Sequence, residues 1–328
     1  SALPARSEMC IRDRGKVIDT LTANNIVINT GATPVIPGIQ GIQKSKYLYD
    51  STGIMNLNEK PKRLVIVGGG YISLEFASMF ANFGTEVTVL EMKERLMPKE
   101  DEEIVSHVIK DLEDKDVKIV LDTQTSAFED QDDHTVVKTN RGDIEADAVL
   151  LAIGRKPNTE DLNLENTDIK LGERGEIKVD NQLKTDVNHI YTIGDVKGGM
   201  QFTYISLDDF RIVNDQLLGS GERTTENRGS IPYTVFIDPP LSRIGLTAKE
   251  AKEQGYNIKE GKLPVNNIPR HKINNDTRGL FKVVIDTKTN KILGATLYGL
   301  QSEEMINIIK LAIDQDIDYT ILRDNICL

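Results

Sequence analysis

Two short glycine-containing segments carry residue types that could hold nucleotides. In the first, Gly68-Gly69-Gly70 separates the apolar run Leu64–Val67 from a helical pattern, and in the second the apolar run Ile190–Ile193 ends on Gly194-Asp195. Glycines at a strand-to-helix turn let the backbone approach a pyrophosphate, and an acid at a strand end can bind a sugar or ribitol hydroxyl. Together they predict hydride transfer between NAD(P)H and a flavin, as in a flavoprotein reductase.

The first segment has the context of a dinucleotide-binding turn. Gly68 permits the tight turn, Gly70 lets the backbone approach the ligand, and Ser73 is small enough for close helix–strand packing. An acid, Glu91, follows at the end of the next strand. The alternative is a glycine turn that binds nothing. Gly194-Asp195 taken alone also fits an ordinary turn.

Glu91 is the predicted specificity residue. Its carboxylate can accept hydrogen bonds from the adenosine ribose hydroxyls of NADH and would repel the 2′-phosphate of NADPH. Lys93 and Arg95 lie just downstream and could soften that repulsion, although a solvated turn is the preferred interpretation of both. The sequence therefore predicts NADH over NADPH.

Alternating strand and helix patterns place the first turn in a parallel α/β domain. A strand is predicted at the run Asn25–Ala32, before the breaks at Pro34 and Pro37-Gly38. The later predictions are strands at Leu64–Val67, Glu86–Glu91, Val117–Leu121 and Ala148–Ile153, a helix with Ile72, Phe76, Phe80 and Phe83 on one face, a second helix with Ile104, Val108 and Leu112, and a hairpin of Val136–Thr139 with Ile144.

Beyond residue 155 the pattern changes. A helix with Ile205, Phe210, Val213 and Leu217 follows Gly194-Asp195, and from Ser230 strands precede helices in the manner of an α+β domain. The predictions there are a strand at Ile231–Ile237, a capping box at Thr247–Glu250, a hairpin of Leu280–Asp286 with Lys291–Tyr298, and a helix with Met305, Ile309 and Ile313.

The patterns predict the bounds of five segments, and the family resemblance carried by the motifs below implies the FAD-binding and dimerisation roles. The five segments are residues 1–14, which resemble translated adaptor sequence or else a disordered native terminus; 15–40, the tail of a first FAD-binding half; 41–155, a Rossmann-like NAD(P)H-binding domain inserted in this partial FAD-binding domain; 156–228, a second FAD-binding segment; and 229–328, an α+β dimerisation domain.

Composition excludes several classes of partner. The net charge of −11 comes from 40 basic and 51 acidic residues without a basic stripe, which argues against nucleic acid and anionic membranes. No apolar run reaches the roughly 18 residues of a membrane span, so a cytoplasmic protein is expected. Cys10 and Cys327 have no neighbouring base and are predicted to be inert, and no spacing of ligands predicts a metal site.

The order of motifs resembles the class I pyridine nucleotide-disulfide oxidoreductases, such as lipoamide dehydrogenase, glutathione reductase and mercuric reductase. The resemblance is carried by Asn29–Ala32, Gly68–Glu75, Gly154–Asn158, Gly194-Asp195 and Asp238–Ala251. Met200–Asp209 most resembles the bacterial branch that handles reactive chlorine species, including hypothiocyanous acid reductases. The resemblance implies a homodimer that uses FAD and NAD(H) to reduce a disulfide or a small oxidant.

The resemblance also implies site residues. Tyr71 would stack over the flavin and move aside for nicotinamide, and Glu75 would orient groups beneath it; a helix-start aromatic and a surface carboxylate are the alternatives. The implied NAD residues are Gly68, Gly69, Gly70, Tyr71, Ile72, Ser73, Glu75, Glu91, Thr125 and Gly154. The implied FAD residues are Thr30, Gly31, Ala32, Arg155, Gly194, Asp195, Phe202, Thr203 and Tyr204.

Several family parts have no match in this sequence. They are the first flavin Gly-x-Gly turn, the redox Cys-x4-Cys and the catalytic His–Glu dyad, so a chain truncated at both ends and inactive by itself is expected. His107, His134, His189 and His271 are each predicted to be surface histidines. Two alternatives stay open: a free-standing NAD(H)-binding regulatory module, and a flavoprotein oxidase or ferredoxin-type reductase without a disulfide step.

Overall fold

A computed structural model describes residues 8–13 and 16–325 of the chain, with side chains described from residue 19. Cys327 and residues 1–7 of the adaptor-like segment lie outside the described residues. The chain divides into two compact units: one holds the chain up to Thr33 together with Arg155–Gly229, and the other holds Pro34–Gly154 together with the chain from Ser230. The five-segment division predicted from the sequence stays a prediction.

The elements are numbered in chain order. The strands are β1 (Glu8–Asp13), β2 (Lys16–Thr22), β3 (Ile26–Ile28), β4 (Ala32–Pro34), β5 (Leu48–Tyr49), β6 (Arg63–Val67), β7 (Glu86–Leu90), β8 (Lys118–Val120), β9 (Thr125–Asp130), β10 (Thr135–Thr139), β11 (Gly142–Ala146), β12 (Ala148–Leu151), β13 (Arg155–Pro157), β14 (Ile190–Thr192), β15 (Tyr233–Val235), β16 (Leu241–Gly245), β17 (Ile258–Pro264), β18 (Leu280–Asp286) and β19 (Ile292–Tyr298). The helices are α1 (Tyr71–Asn82), α2 (Glu102–Glu113), α3 (Thr203–Leu218), α4 (Ala248–Glu253), α5 (Pro269–Ile273), α6 (Ser302–Asp314) and α7 (Tyr319–Asp324).

The larger unit contains a parallel sheet of five strands in the order β5-β12-β6-β7-β8. Strand β6 is apolar and almost wholly buried, as expected for a central strand covered on both faces. Helices α1 and α2 each connect neighbouring parallel strands, and the antiparallel sheet β11-β10-β9 lies between β8 and β12 along the chain. The predicted strand–helix–strand order and the β10–β11 hairpin are confirmed, and β9 is an additional strand.

The same unit includes an antiparallel sheet in the order β15-β16-β19-β18-β17. One continuous core joins it to the parallel sheet, because Val235, Leu241 and Tyr298 pack in the same buried cluster as Leu64 and Leu74. The predicted hairpin of β18 with β19 and the capping box at Thr247 are confirmed. The parallel sheet and the C-terminal antiparallel sheet therefore share a hydrophobic core.

The smaller unit is built around β3, which pairs in parallel with β14, and the long helix α3. Strand β4 pairs with β13, and the backbone of β1 pairs antiparallel with β2. Strand β1 falls in the segment for which the sequence predicted no regular structure. The buried cluster around Ile177, Ile190 and Val196 packs against the β3–β14 pair.

Two predicted helix faces are partly wrong. In α1 the buried positions include Leu74, Ala77 and Phe80, whereas Phe83 is exposed just after the helix ends. In α3 the charged Asp209 is fully buried, and Phe210 and Leu217 are exposed. Apolar spacing alone could not show that a buried ion-pair network, rather than an aromatic ring, fixes the inner face of α3.

Candidate functional site

The turn between β6 and α1 requires glycine at its first position. Gly68 has a φ of +114°, and a Cβ built there would lie 2.4 Å from the carbonyl oxygen of Ala152. Its N–H donates to the carbonyl of Leu90 at 2.8 Å, which ties the turn to the neighbouring strand. The tight turn predicted from the sequence is therefore present, and its shape is set by close backbone contacts.

Gly70, unlike Gly68, has open space where a Cβ atom would lie. It is the N-cap of α1 with extended backbone (φ −87°, ψ −175°), and a Cβ built there has no neighbour within 4 Å. The α1 N-terminus carries the unsatisfied N–H groups and the positive dipole end that favour an anion. This open cradle beside a helix start fits a dinucleotide pyrophosphate.

Small side chains allow α1 to sit close to the sheet. Ser73 is fully buried, and its hydroxyl lies 3.5 Å from the carbonyl oxygen of Ala152, while Ile72 is half-buried. A larger residue at position 73 would separate the helix from β12. The serine therefore fills the role of the third small residue in the fingerprint.

The carboxylate of Glu91 is hydrogen-bonded to the backbone of the glycine turn. One oxygen accepts from the N–H of Gly69 at 2.6 Å, and the other accepts from the N–H of Lys93 at 2.8 Å. A Cβ at Gly69 would lie 2.7 Å from that same carboxylate, so a larger residue there would displace the Glu91 side chain. Glu91, the predicted specificity residue, is thus in direct contact with the glycine turn.

Two further predicted NAD residues lie at strand ends of the same unit. Thr125 begins β9 and is buried, and its hydroxyl has no hydrogen-bond partner among the described residues. Gly154 follows β12 with a φ of +132° and open space around a built Cβ. Gly154 resembles Gly70 in leaving the approach to the backbone unobstructed.

Tyr71, the first residue of α1, belongs to a buried polar cluster that the sequence did not reveal. Its hydroxyl donates to the carboxylate of Glu100, which also accepts from the hydroxyl of Tyr233. The guanidinium of Arg243 lies 3.6 Å from the second Glu100 oxygen. These residues are distant in sequence, so only the packing of β15 and β16 beside α1 brings them together.

Glu75 is half-buried one turn further along α1. Its carboxylate accepts from the N–H of Phe236 at 2.8 Å, beside an apolar groove lined by Met55 and Met79. Burial raises the pKa of this carboxyl, and the hydrogen bond from Phe236 opposes that rise. Glu75 is therefore less exposed than the surface-carboxylate alternative assumed.

The raised pKa of Glu75 leads to a pH-dependent prediction. A carboxyl with a raised folded-state pKa contributes stability below its unfolded pKa, and that contribution is lost as pH rises through the folded value. Glutamine stays neutral and keeps an acceptor for Phe236, so Glu75→Gln should raise the thermal unfolding midpoint near pH 7 and have little effect near pH 4. Equal shifts at both pH values, measured by calorimetry, would contradict the burial argument.

In the smaller unit, two motifs that are far apart in sequence meet. The hydroxyl of Thr30 donates to the carbonyl of Asn158 at 2.7 Å, and the N–H of Asn158 donates to the carbonyl of Gly31 at 2.9 Å. The guanidinium of Arg155 donates to the carbonyl of Ala32. The Thr-Gly and Gly-Arg-x-Pro-Asn segments therefore form one paired structure at β4 and β13.

Gly194 also occupies a position that only glycine fits. Its φ is +70°, and a Cβ would lie 2.3 Å from the hydroxyl oxygen of Ser206. Asp195 follows it, half-buried, in a short 3₁₀ turn. The strand-end acid is thus presented by a turn that is packed against the start of α3.

A buried carboxylate on α3 holds this turn. Asp209 is fully buried and accepts from the N–H of Gly194 at 2.8 Å. It also pairs with Arg228 at 2.7 Å and Lys197 at 3.3 Å. The sequence analysis assigned Asp209 no separate role, although two adjacent acids on an otherwise amphipathic helix were a signal that could have identified it.

The three remaining residues predicted to bind FAD lie at the N-terminus of α3. Phe202 is the N-cap, Thr203 is exposed, and the rings of Phe202 and Tyr204 stack with centroids 5.2 Å apart. Burial raises the pKa of Tyr204 to about 12, so its hydroxyl stays protonated at neutral pH. They form an aromatic surface beside a helix start.

One histidine prediction is wrong. His271 is buried within α5, packed edge-to-face against Phe281, rather than exposed in a loop. The basic residues around it in sequence concealed an inward-facing position on a short helix. His107 is exposed, and His134 and His189 are half-buried.

Within residues 8–13 and 16–325, no group of three or more His, Cys, Asp or Glu residues is arranged to hold a metal ion. None of the helices in the same part of the chain has the length and apolarity that a membrane crossing requires.

The fold and the two glycine turns define a nucleotide-binding α/β protein followed by an α+β domain. Residues 5–209 match the family described as pyridine nucleotide-disulphide oxidoreductase, and residues 231–328 match the dimerisation domain of that family. The chain belongs to this family, whose members are FAD-dependent oxidoreductases that use NAD(P)H. The fold class predicted from the sequence is confirmed.

Two relatives and one solved structure illustrate the similarity. Probable pyridine nucleotide-disulfide oxidoreductase RclA of Escherichia coli (strain K12) is 48% identical over 301 residues, which cover 92% of this chain and 68% of that protein. Mercuric reductase of Staphylococcus aureus is 36% identical over 93% of this chain and 56% of that protein. The structure of the HOCl-induced flavoprotein disulfide reductase RclA from E. coli superimposes with a TM-score of 0.91 at 46% identity, over 95% of this chain and 72% of that chain. The resemblance to this branch is confirmed.

Proposed function

We propose that this chain provides the NADH site and one part of the FAD site of a reductase that passes electrons from NADH through flavin to a disulfide or a small oxidant. The observation that carries the proposal is the turn after β6. A side chain at Gly68 would meet the backbone of Ala152 and one at Gly69 would displace Glu91, whereas the space before Gly70 is open. Such a turn at a helix start suits a pyrophosphate.

In this proposal the NAD residues act in three groups. The glycine turn of Gly68, Gly69 and Gly70 would let the pyrophosphate approach the N-terminus of α1 through the open space at Gly70, with Ile72 and Ser73 fixing the helix start behind it. Glu91 would bind the adenosine ribose, with Thr125 near the adenine. The nicotinamide end would involve Tyr71, Glu75 and Gly154.

The FAD residues belong to the smaller unit. Asp195 would bind a ribitol hydroxyl, and the turn at Gly194 would present it. The paired segments of Thr30, Gly31, Ala32 and Arg155 would line the site, together with Phe202, Thr203 and Tyr204 at the start of α3. Asp209 supports this assignment, because it fixes the Gly194 backbone through a buried hydrogen bond.

When both cofactors are bound, they supply hydride transfer from nicotinamide to flavin. The residues of this chain bind and orient the cofactors, and we assign none of them as catalytic. Cys10 and Cys327 stand near opposite ends of the sequence, so we do not assign them as a redox pair. We infer that the chain alone binds nucleotide without completing electron transfer, and that the C-terminal domain supports a homodimer in the intact enzyme.

Calorimetric titration with NADH and NADPH tests the proposed cofactor preference. We expect the unmutated chain to bind NADH more tightly, because Glu91 would repel a 2′-phosphate. Glu91→Arg should shift the ratio of the two affinities toward NADPH by about tenfold or more, since a guanidinium binds phosphate well.

Glu94→Arg is the matched control, because Glu94 is exposed nearby and the substitution changes the net charge equally. It should leave the ratio nearly unchanged. Tighter NADPH binding by the unmutated chain would refute the role of Glu91. If Glu94→Arg changed the ratio of the two affinities equally, the effect of Glu91→Arg would come from net charge and not from the position of Glu91.

A further inference from the structure

The carboxylate of Glu100 is a buried acceptor shared by two phenols. Tyr71 on α1 and Tyr233 on β15 both donate to the same oxygen, Tyr233 at 2.5 Å. The two rings lie with centroids 5.8 Å apart and are tilted by 30°. The Glu100 side chain has no exposed surface, so these contacts replace the water that a carboxylate normally binds.

Arg243 compensates the charge of this carboxylate. Its guanidinium lies 3.6 Å from the other Glu100 oxygen, which has no hydrogen-bond partner among the described residues. Arg243 is held in turn by the carbonyl of Lys99 at 2.7 Å and by the carboxylate of Glu250. Burial, followed by the Glu100 charge, raises the pKa of Tyr71 and of Tyr233, so both phenols remain donors at neutral pH.

The cluster is attached to the nucleotide site through Tyr71. This residue directly follows Gly70, whose front is open, so the anchoring of its hydroxyl decides where the ring stands beside the turn. A hydrogen bond to an ionised acceptor is stronger than one between neutral groups. Displacement of the ring therefore has to break a charge-assisted bond.

We propose that Glu100, supported by Tyr233 and Arg243, is a positioning residue that latches Tyr71 and thereby sets the affinity of the nicotinamide end of the dinucleotide. The proposal rests on the proposed function, which places Tyr71 at the nicotinamide end, and it requires the Tyr71 ring to leave its present position when nicotinamide enters. The new element is that Glu100, in the loop before α2, and Tyr233 and Arg243, in the C-terminal domain, control the movement of Tyr71.

The test compares NADH with ADP-ribose, which shares the adenosine and pyrophosphate but lacks nicotinamide. We expect Glu100→Gln to tighten NADH binding about fivefold, because a neutral amide holds the phenol less strongly. ADP-ribose binding should stay within about twofold. A merely structural role would change the two affinities together.

Tyr71→Phe supplies a second route, because it removes the same bond from the other side. It should also tighten NADH relative to ADP-ribose, and the double variant with Glu100→Gln should be no tighter than the stronger single variant. Glu113→Gln is the matched control, since Glu113 is an exposed glutamate at the far end of α2. It should alter neither affinity.

The outcomes separate the two proposals. If the unmutated chain binds neither NADH nor ADP-ribose, the proposed function fails. Suppose instead that the unmutated chain binds both ligands. The latch is overturned if the Glu100 and Tyr71 variants change the two affinities equally, change neither affinity, or weaken NADH binding alone. Additive effects in the double variant would also overturn it.

Discussion

Gly70→Val will reduce NADH binding more than about 100-fold while the chain stays folded. The backbone of Gly70 is extended with a negative φ, and no atom lies within 4 Å of a built Cβ, so the first side-chain atom of valine meets no neighbour and the backbone needs no strained angle. The new side chain would instead fill the space assigned to the pyrophosphate. Calorimetry measures the binding, and circular dichroism with thermal unfolding measures the fold.

Gly68→Ala is the contrasting variant at the same turn. Its positive φ and the 2.4 Å approach to the Ala152 carbonyl mean that the fold itself must shift. We expect a loss of stability on the order of 1–3 kcal/mol together with weaker binding. If Gly70→Val instead bound NADH normally, the open space before α1 would not be the nucleotide site.

Asp209→Ala should produce the largest loss of stability, about 3–5 kcal/mol, because it leaves the largely buried ammonium of Lys197 without its carboxylate. The substitution also removes one of the two carboxylates that pair with Arg228, which keeps Asp208, and the acceptor of the Gly194 N–H. The Gly194 amide should then lose protection against hydrogen exchange. Hydrogen exchange measured at each amide detects this loss of protection even where global unfolding has more than one step.

Asp208→Ala is the matched control on the same helix. Asp208 is more exposed than Asp209, and one of its partners, Arg223, is 40% exposed, so a smaller loss is expected. The Gly194 amide should remain protected in this variant. Similar stability losses and similar exchange in the two variants would show that Asp209 does not specifically hold the flavin-type turn.

Local patterns in the sequence predicted much of the scaffold correctly. The apolar run of β6, the capping box at Thr247 and the hairpin of β18 with β19 depend on neighbouring residues, whose preferences act over a few positions. The glycine turn was predictable for the same reason, since a positive φ at Gly68 excludes side chains locally. The motif order then identified the family that the comparisons confirm.

Errors arose where burial depends on distant partners. The predicted inner face of α3 contained Phe210, but the folded helix buries Asp209 because Lys197 and Arg228 compensate its charge. His271 was expected on the surface, but Phe281 on β18 packs against it. Lys197 and Arg228 lie outside α3, and Phe281 lies outside α5, so the pattern within each helix could not reveal them.

The sequence by itself determined the βαβ unit, the two glycine turns and the acid Glu91 that follows the first turn, because residues nearby in the chain specify them. Only the tertiary structure decided that Glu91 closes on Gly69, that Asp209 holds Gly194, and that Glu100 joins Tyr71 to Tyr233. Each of these contacts joins groups well separated along the chain. Their stability comes from excluding water around paired charges and donors, a condition that exists only after the chain has packed.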